Sequence, residues 1–195
     1  MKRNLIGYST LGAVVGLSLL CDAAVWARTA AAPELKQVGA TAVVYKGPQV
    51  SVALSYRFAT LNPTGRWLLL DTAMTATADT VEVPRTAIAV RTPDGTVVPL
   101  ATQQEFGNDY PQLAAMIARA NTSREPLNYL IPQRFSRIRY FAERGHGLAF
   151  PSVWLDQRHN AYGRLFFKLP DGIRKGNYEL LINLSKSQVA IPFTI

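Results

Sequence analysis

Apolar and polar positions alternate with a period of two through much of this chain. Val50, Val52, Leu54, Tyr56 and Phe58 alternate with Ser51, Ala53, Ser55, Arg57 and Ala59. Such alternation predicts a half-buried strand with an apolar inner face. An earlier run, Lys36–Tyr45, is set off from it by Lys46-Gly47-Pro48. After the turn formers Asn62-Pro63-Thr64-Gly65 the pattern changes. Arg66–Ala76 (RWLLLDTAMTA) opens with an unbroken apolar block, which suits a central strand covered on both faces. Trp67 is the candidate anchor for the core. Val81–Val83 leads into Arg85–Thr92, and Thr92-Pro93-Asp94-Gly95-Thr96 predicts a hairpin returning through Val97–Leu100. Pro99 places that strand at an edge, because proline cannot donate to a ladder.

The last third, Phe150–Ile195, repeats the strand signature. Three apolar runs, Gly163–Leu169, Asn177–Leu184 and Gln188–Ile195, are separated by Pro170-Asp171-Gly172 with Lys175-Gly176 and by Ser185-Lys186-Ser187. These read as consecutive antiparallel strands. Between Leu100 and Arg134 the period is different. Pro111–Ala120 is rich in helix formers, with Leu113, Met116, Ile117 and Ala120 on one face, Asp109 as the cap and Pro111 near the first turn. Asn121–Pro132 is polar and loop-like. Arg134–Phe141 (RFSRIRYF) reads as a further strand with Phe135, Arg137, Arg139 and Phe141 on one side and Ser136, Ile138 and Tyr140 on the other. Glu143–Gly147 then turns the chain. The expected fold is all-β: an antiparallel immunoglobulin-like β-sandwich of about nine or ten strands. One short helix, 111–120, is inserted in it. A closed barrel is the alternative.

The N-terminus reads differently from the rest. Lys2 and Arg3 precede an uncharged apolar stretch, Leu5–Leu20, and Val25-Trp26-Ala27 supplies small residues at the cleavage positions. This is the pattern of a secretory signal peptide. The expected organisation is a signal peptide over 1–27, a flexible linker over 28–34 and one domain over 35–195. Cys21 is the sole cysteine, and Leu17–Cys21 resembles a lipoprotein box except at Leu20, where a small residue is expected. The expected location is periplasmic or secreted, with a lipoprotein through Cys21 as the alternative. Cleavage leaves no thiol, so disulfides, cysteine nucleophiles and cysteine metal ligands are excluded from the mature chain.

Charge narrows the partners. The formal net charge is +8; Lys2, Arg3 and Asp22 account for +1 of it, so the chain after Ala27 keeps +7. A basic exported chain associates with anionic surfaces such as lipopolysaccharide, anionic lipid or polysaccharide; a protein is the other expected partner, nucleic acid is set aside, and the competing reading is that the charge serves solubility with no specific partner. The densest basic cluster is Arg134, Arg137, Arg139 and Arg144, with Tyr140 among them. Two arginines on one strand face can clamp a phosphate or carboxylate. The competing reading is that they are solvated edge charges that discourage strand aggregation.

Catalytic signatures are sparse. The two histidines, His146 and His159, stand in separate loops, short of the convergent ligands that a metal needs. Ser152, Asp156 and His159 form a triad on paper, but a triad is defined by geometry. There is no Gly-x-Ser-x-Gly elbow and no phosphate-binding loop. The expectation is a non-catalytic envelope binding or structural module without cofactors; the alternative is a hydrolase with loop-borne groups.

Trp67–Asp71, Arg91–Leu100 (RTPDGTVVPL), Leu155-Asp156 with Gly163–Leu169, and Gly176–Ile182 together resemble the strand and turn pattern of exported bacterial immunoglobulin-like domains, including the telokin-like ones. The resemblance spans Val50–Ile195. It implies a β-sandwich and brings no catalytic residue with it.

Intact-mass measurement of envelope-purified protein is expected to give a chain beginning at Arg28. A diacylated chain beginning at Cys21 would instead make the protein a lipoprotein.

Overall fold

The computed structural model describes residues 32–143 and 145–195. The expected signal peptide, Cys21 and most of the expected linker lie outside the described residues. The chain is mostly β-structure in three sheets. In chain order the strands are β1 (Glu34–Val38), β2 (Ala42–Lys46), β3 (Val50–Ser55), β4 (Trp67–Ala76), β5 (Val81–Pro84), β6 (Ile88–Arg91), β7 (Val97–Pro99), β8 (Phe135–Arg137), β9 (Ser152–Leu155), β10 (Asn160–Lys168), β11 (Asn177–Asn183) and β12 (Gln188–Thr194). A helical turn, α1 (Arg57–Leu61), follows β3, and one long helix, α2 (Gln103–Thr122), follows β7.

The large sheet has the order β1-β2-β3-β4-β10-β8, the second β12-β11-β6-β7, and the third is the pair β5-β9. One hydrophobic core joins all three. Leu54, Leu70, Met74 and Phe167 from the large sheet meet Ile88, Val90, Leu180 and Ile191 from the second and Val83 and Leu155 from the pair. β4 is central, as its unbroken apolar block implies, and all ten of its residues are buried. Its two faces are covered by different things. Leu68, Leu70 and Met74 face the shared core. Trp67 and Leu69 face α2, through Phe106, Leu113 and Ala120. Ala73 faces Leu127 and Leu130 of the segment after the helix. β3 is likewise buried on both sides rather than half-buried, because that same segment covers its outer face.

Several expectations are corrected. The run Lys36–Tyr45 is two strands, not one: Gly39, at φ 63°, turns the chain between β1 and β2. The run Gln49–Leu61 ends as a strand at Ser55 and continues as α1. The helix is not confined to 111–120 but has 20 residues, and its cap is Thr102 rather than Asp109. Thr102 Oγ1 accepts from the Glu105 amide at 3.1 Å, and the Thr102 amide donates to the Glu105 carboxylate at 2.8 Å. This reciprocal capping box satisfies two otherwise orphaned amides. Those bonds also hold the Glu105 carboxyl below the usual carboxylate range.

Asp109 ties the helix to the sheet instead. It accepts from Trp67 Nε1 at 3.1 Å and lies 2.8 Å from Lys168 Nζ. Pro111 sits inside the helix, with Gly107 four residues before it. The three C-terminal strands are not consecutive neighbours. β11 and β12 do pair antiparallel, but β10 lies in the large sheet against β4, and β11 pairs with β6. Arg134–Phe141 contributes three strand residues only, and β8 runs parallel to β10. The expected edge position of Pro99 agrees with β7 at the end of its sheet.

Gly163 in β10 permits the close approach of the β8 segment. A Cβ built there would lie 2.5 Å from Ile138 Cβ and 3.0 Å from Ile138 O. Gly163→Ala is expected to lower stability by about 1–3 kcal/mol through overpacking. Urea denaturation checks this, and an unchanged midpoint would show that the β8 segment yields freely.

Candidate functional site

β8 and the residues that follow it border two surfaces, and Phe135, Ser136 and Arg137 line both. The first carries the arginines singled out by sequence. Ile138 and Tyr140 turn inward and are buried, whereas Arg137 and Arg139 turn outward and are exposed, as is Arg134. Neither Arg137 nor Arg139 forms an ion pair with a carboxylate among the described residues. Arg144 lies outside the described residues. Tyr140 does not stand with the arginines. It is 1% exposed, and its hydroxyl donates to the Val83 carbonyl at 2.8 Å. Burial pushes its phenol pKa upward. Its place is in the core, where a buried hydroxyl needs such a partner.

Beside Arg137, Arg139 and Phe135, which alternation put on one side, the structure adds Phe150 and Trp154, which sequence reading missed. Phe135, Phe150 and Trp154 are 56%, 45% and 63% exposed, and together with the two arginines they line a shallow depression of about 560 Å³. The Phe150 amide donates to the Arg139 carbonyl at 2.7 Å, which holds the returning chain beside β8. Trp154 faces Glu82 across the β5-β9 pair. Exposed large aromatics concentrated in one place are unusual for a surface without a partner. The available signal was PSVW before Leu155, but nothing in the pattern gives its distance from β8.

The second surface lies between β8, the end of α2 and the outer face of β10. At its base Asp71, in the middle of β4, stands opposite Arg164 of β10. Arg164 Nε donates to Asp71 Oδ1 at 3.0 Å, with side-chain exposures of 13% and 5%. Tyr162 donates to the same oxygen at 3.4 Å. Its pKa is pushed up to about 12, by burial first and by the Asp71 carboxylate second, so the phenol remains a donor. Arg124 lies over the Tyr162 ring, its guanidinium carbon 3.9 Å from the centroid, and its Nε donates to the Tyr162 hydroxyl.

Among the described residues no group of three or more His, Cys, Asp or Glu side chains converges. Asp156 instead organises its own loop. It accepts from the Arg158 and His159 amides at 2.7 and 2.8 Å, and its other oxygen lies 3.1 Å from His159 Nδ1. Among the described residues Ser152 forms no hydrogen bond to His159. Asn160 is fully buried and donates to the Leu130 and Pro132 carbonyls. Nor is any helix among the described residues long and apolar enough to cross a membrane. No protein-family model, curated protein or solved structure matches the chain.

The Asp71–Arg164 pair is desolvated enough that breaking it leaves an uncompensated charge. Asp71→Ala is expected to cost about 3 kcal/mol. The double variant Asp71→Asn/Arg164→Gln is expected to recover most of that loss. Chemical denaturation of the three proteins checks both, and a double variant as unstable as the single one would show that the charges themselves are required.

Proposed function

We propose that this protein is a non-catalytic, exported cell-envelope module that binds an anionic polymer or lipid surface through Arg137 and Arg139. The observation that carries this reading is the pairing of two exposed arginines, without a carboxylate partner among the described residues, with the exposed rings of Phe135, Phe150 and Trp154. Arg137 ends β8 and Arg139 lies just past it; where the backbone stays extended, residues two apart are about 7 Å from each other on one face. That spacing bridges neighbouring phosphates or carboxylates, and guanidinium groups bind both in a planar, bidentate manner. The rings supply what charge alone does not: apolar faces that enter a lipid interface or stack on a sugar. The net charge of +7 after Ala27 favours approach to such a surface. The competing role of edge protection needs the charges but not the three exposed rings. Arg134 is exposed one residue before β8 but does not line the depression.

The scaffold we propose is an immunoglobulin-like sandwich. Two largely antiparallel sheets around one core support that reading. Export is proposed on Lys2, Arg3, Leu5–Leu20 and Val25-Trp26-Ala27.

Arg137→Ser/Arg139→Ser is expected to leave the unfolding midpoint within about 0.5 kcal/mol of wild type, because both side chains are exposed. The same variant is expected to lose most binding to lipopolysaccharide or to vesicles of anionic lipid. Wild-type binding is expected to weaken as salt rises. Co-sedimentation measures both. Undiminished binding by the double variant at low salt would remove the arginine strip as the site.

A further inference from the structure

We propose that the groove on the other side of β8, which shares Phe135 and Arg137 with the arginine strip, is a second binding site, and that it takes a single long-chain amphiphile with a carboxylate head. The groove has a volume of about 1110 Å³ and lies between the end of α2, the 124–128 segment and the β8–β10 edge. That is slightly above the upper end of ordinary small-molecule sites, about 300–1,000 Å³. Its two ends differ in chemistry. At one end Phe106, Phe141 and Phe166 meet with ring centroids 4.9–5.1 Å apart. Ile117 extends this apolar wall along α2. At the other end stand Arg164, Arg124 and Tyr162.

Arg164 gives the reason to place an anion there. Its Nε is satisfied by Asp71, but its Nη2 is buried and has no hydrogen-bond partner among the described residues. A buried cationic donor without a partner is costly, and an oxyanion within reach removes the cost. Arg124, exposed and laid over Tyr162, is placed to close on the same head group from the solvent side. The two carboxylates bordering the groove are already engaged. Glu125 accepts from Thr41 and Ser55 at 2.9 and 3.1 Å. Glu143 lies near the Tyr110 hydroxyl and raises its pKa. Asp71 and Glu125 offset two of the three positive charges of Arg164, Arg124 and Arg137, and the remaining charge of +1 fits one negative charge rather than a polyanion. An apolar wall beside a site for one anion fits a fatty acid better than a folded protein or a polymer.

The walls are fixed in place. Gln103 at the start of α2 exchanges hydrogen bonds with Ala142, at 2.8 and 3.0 Å, so the helix and the chain after β8 hold a constant separation. Gly163 lets Ile138 press against β10 beneath the groove. Such preorganisation reduces the ordering cost of binding.

Isothermal titration of the full chain with dodecanoate, below its micelle-forming range, tests the proposal, with dodecanol and acetate as controls. Dodecanoate is expected to bind, acetate not measurably, and dodecanol at least about tenfold more weakly than dodecanoate, in keeping with the loss of a charge-assisted contact. Asn121→Glu adds a like charge at the groove's exposed rim without touching the core. It is expected to weaken dodecanoate about tenfold or more. Asp71→Asn/Arg164→Gln, where folded, is expected to abolish the preference for dodecanoate over dodecanol. Arg139→Ser, confined to the other surface, is expected to leave dodecanoate binding unchanged, and Asn121→Glu is expected to leave vesicle binding unchanged, so the two sites fail or stand separately. Equal binding of dodecanol and dodecanoate, dodecanoate binding indifferent to Asn121→Glu, or no dodecanoate binding at all would each overturn the proposal.

Discussion

A strand that is buried on both faces makes two demands, and in this protein β4 makes them. All ten residues from Trp67 to Ala76 are buried, and no second sheet can cover both sides of one strand. The inner side is met by the β12-β11-β6-β7 sheet across a shared core. The outer side must be met by something from elsewhere in the chain. That is the physical reason for α2 and the segment that follows it. Remove that cover and Trp67, Leu69, Ala73 and Phe166 face water, a loss of the order of 1.5–3 kcal/mol for each large side chain.

The cover is in two pieces, and the gap between them is where the chemistry collects. Phe106, Leu113 and Ala120 lie over one end of the outer face and Leu127 and Leu130 over the other. Between them the sheet carries polar residues: Ser55, Asp71 and Arg164 stand in one row across three strands. A buried aspartate in mid-strand needs a partner, and register places Arg164 directly opposite it. Glu125 performs the corresponding service for the cover, taking the Thr41 and Ser55 hydroxyls and so fastening the segment after α2 to β3. Polar satisfaction and apolar packing are thus solved on one surface, with charge where the two apolar pieces do not meet.

β8 occupies a position with consequences on both sides. It is only three residues long, parallel to β10, and its ladder continues through the Ile138 amide to the Tyr162 carbonyl at 2.8 Å. Alternation then directs Ile138 and Tyr140 inward and Arg137 and Arg139 outward. A parallel strand at this edge requires a long connection back to β10. That connection carries Phe150 and Trp154 past the arginines. The exposed aromatic and basic strip is therefore a product of this crossover rather than of any local motif.

The sequence by itself determined what depends on local chemistry. The unbroken apolar block at Trp67–Leu70 marked a central strand, Thr92–Thr96 marked a hairpin, Pro99 an edge, and the three-and-four spacing of Leu113, Met116, Ile117 and Ala120 the buried side of a helix. Alternation over Arg134–Phe141 put Arg137 and Arg139 on the side opposite Tyr140, but Tyr140 was still counted with the arginine cluster, and only the structure showed it buried in the core. Where local signals conflicted the reading failed. Gly107, Asp109 and Pro111 are poor helix residues, so the first half of α2 was hidden, although Thr102-Gln103-Gln104-Glu105 carries the capping box that starts it. What only the tertiary structure decided were the pairings that depend on distant partners. It put β10 in a different sheet from β11, set β8 parallel, placed Arg164 opposite Asp71, and brought Trp154 beside Arg139. Each joins residues far apart in the chain, and nothing in a period of two or 3.6 says which strand lies next to which. Burial of both faces of β4 chose among the pairings, because that demand can be met only by the chain as a whole.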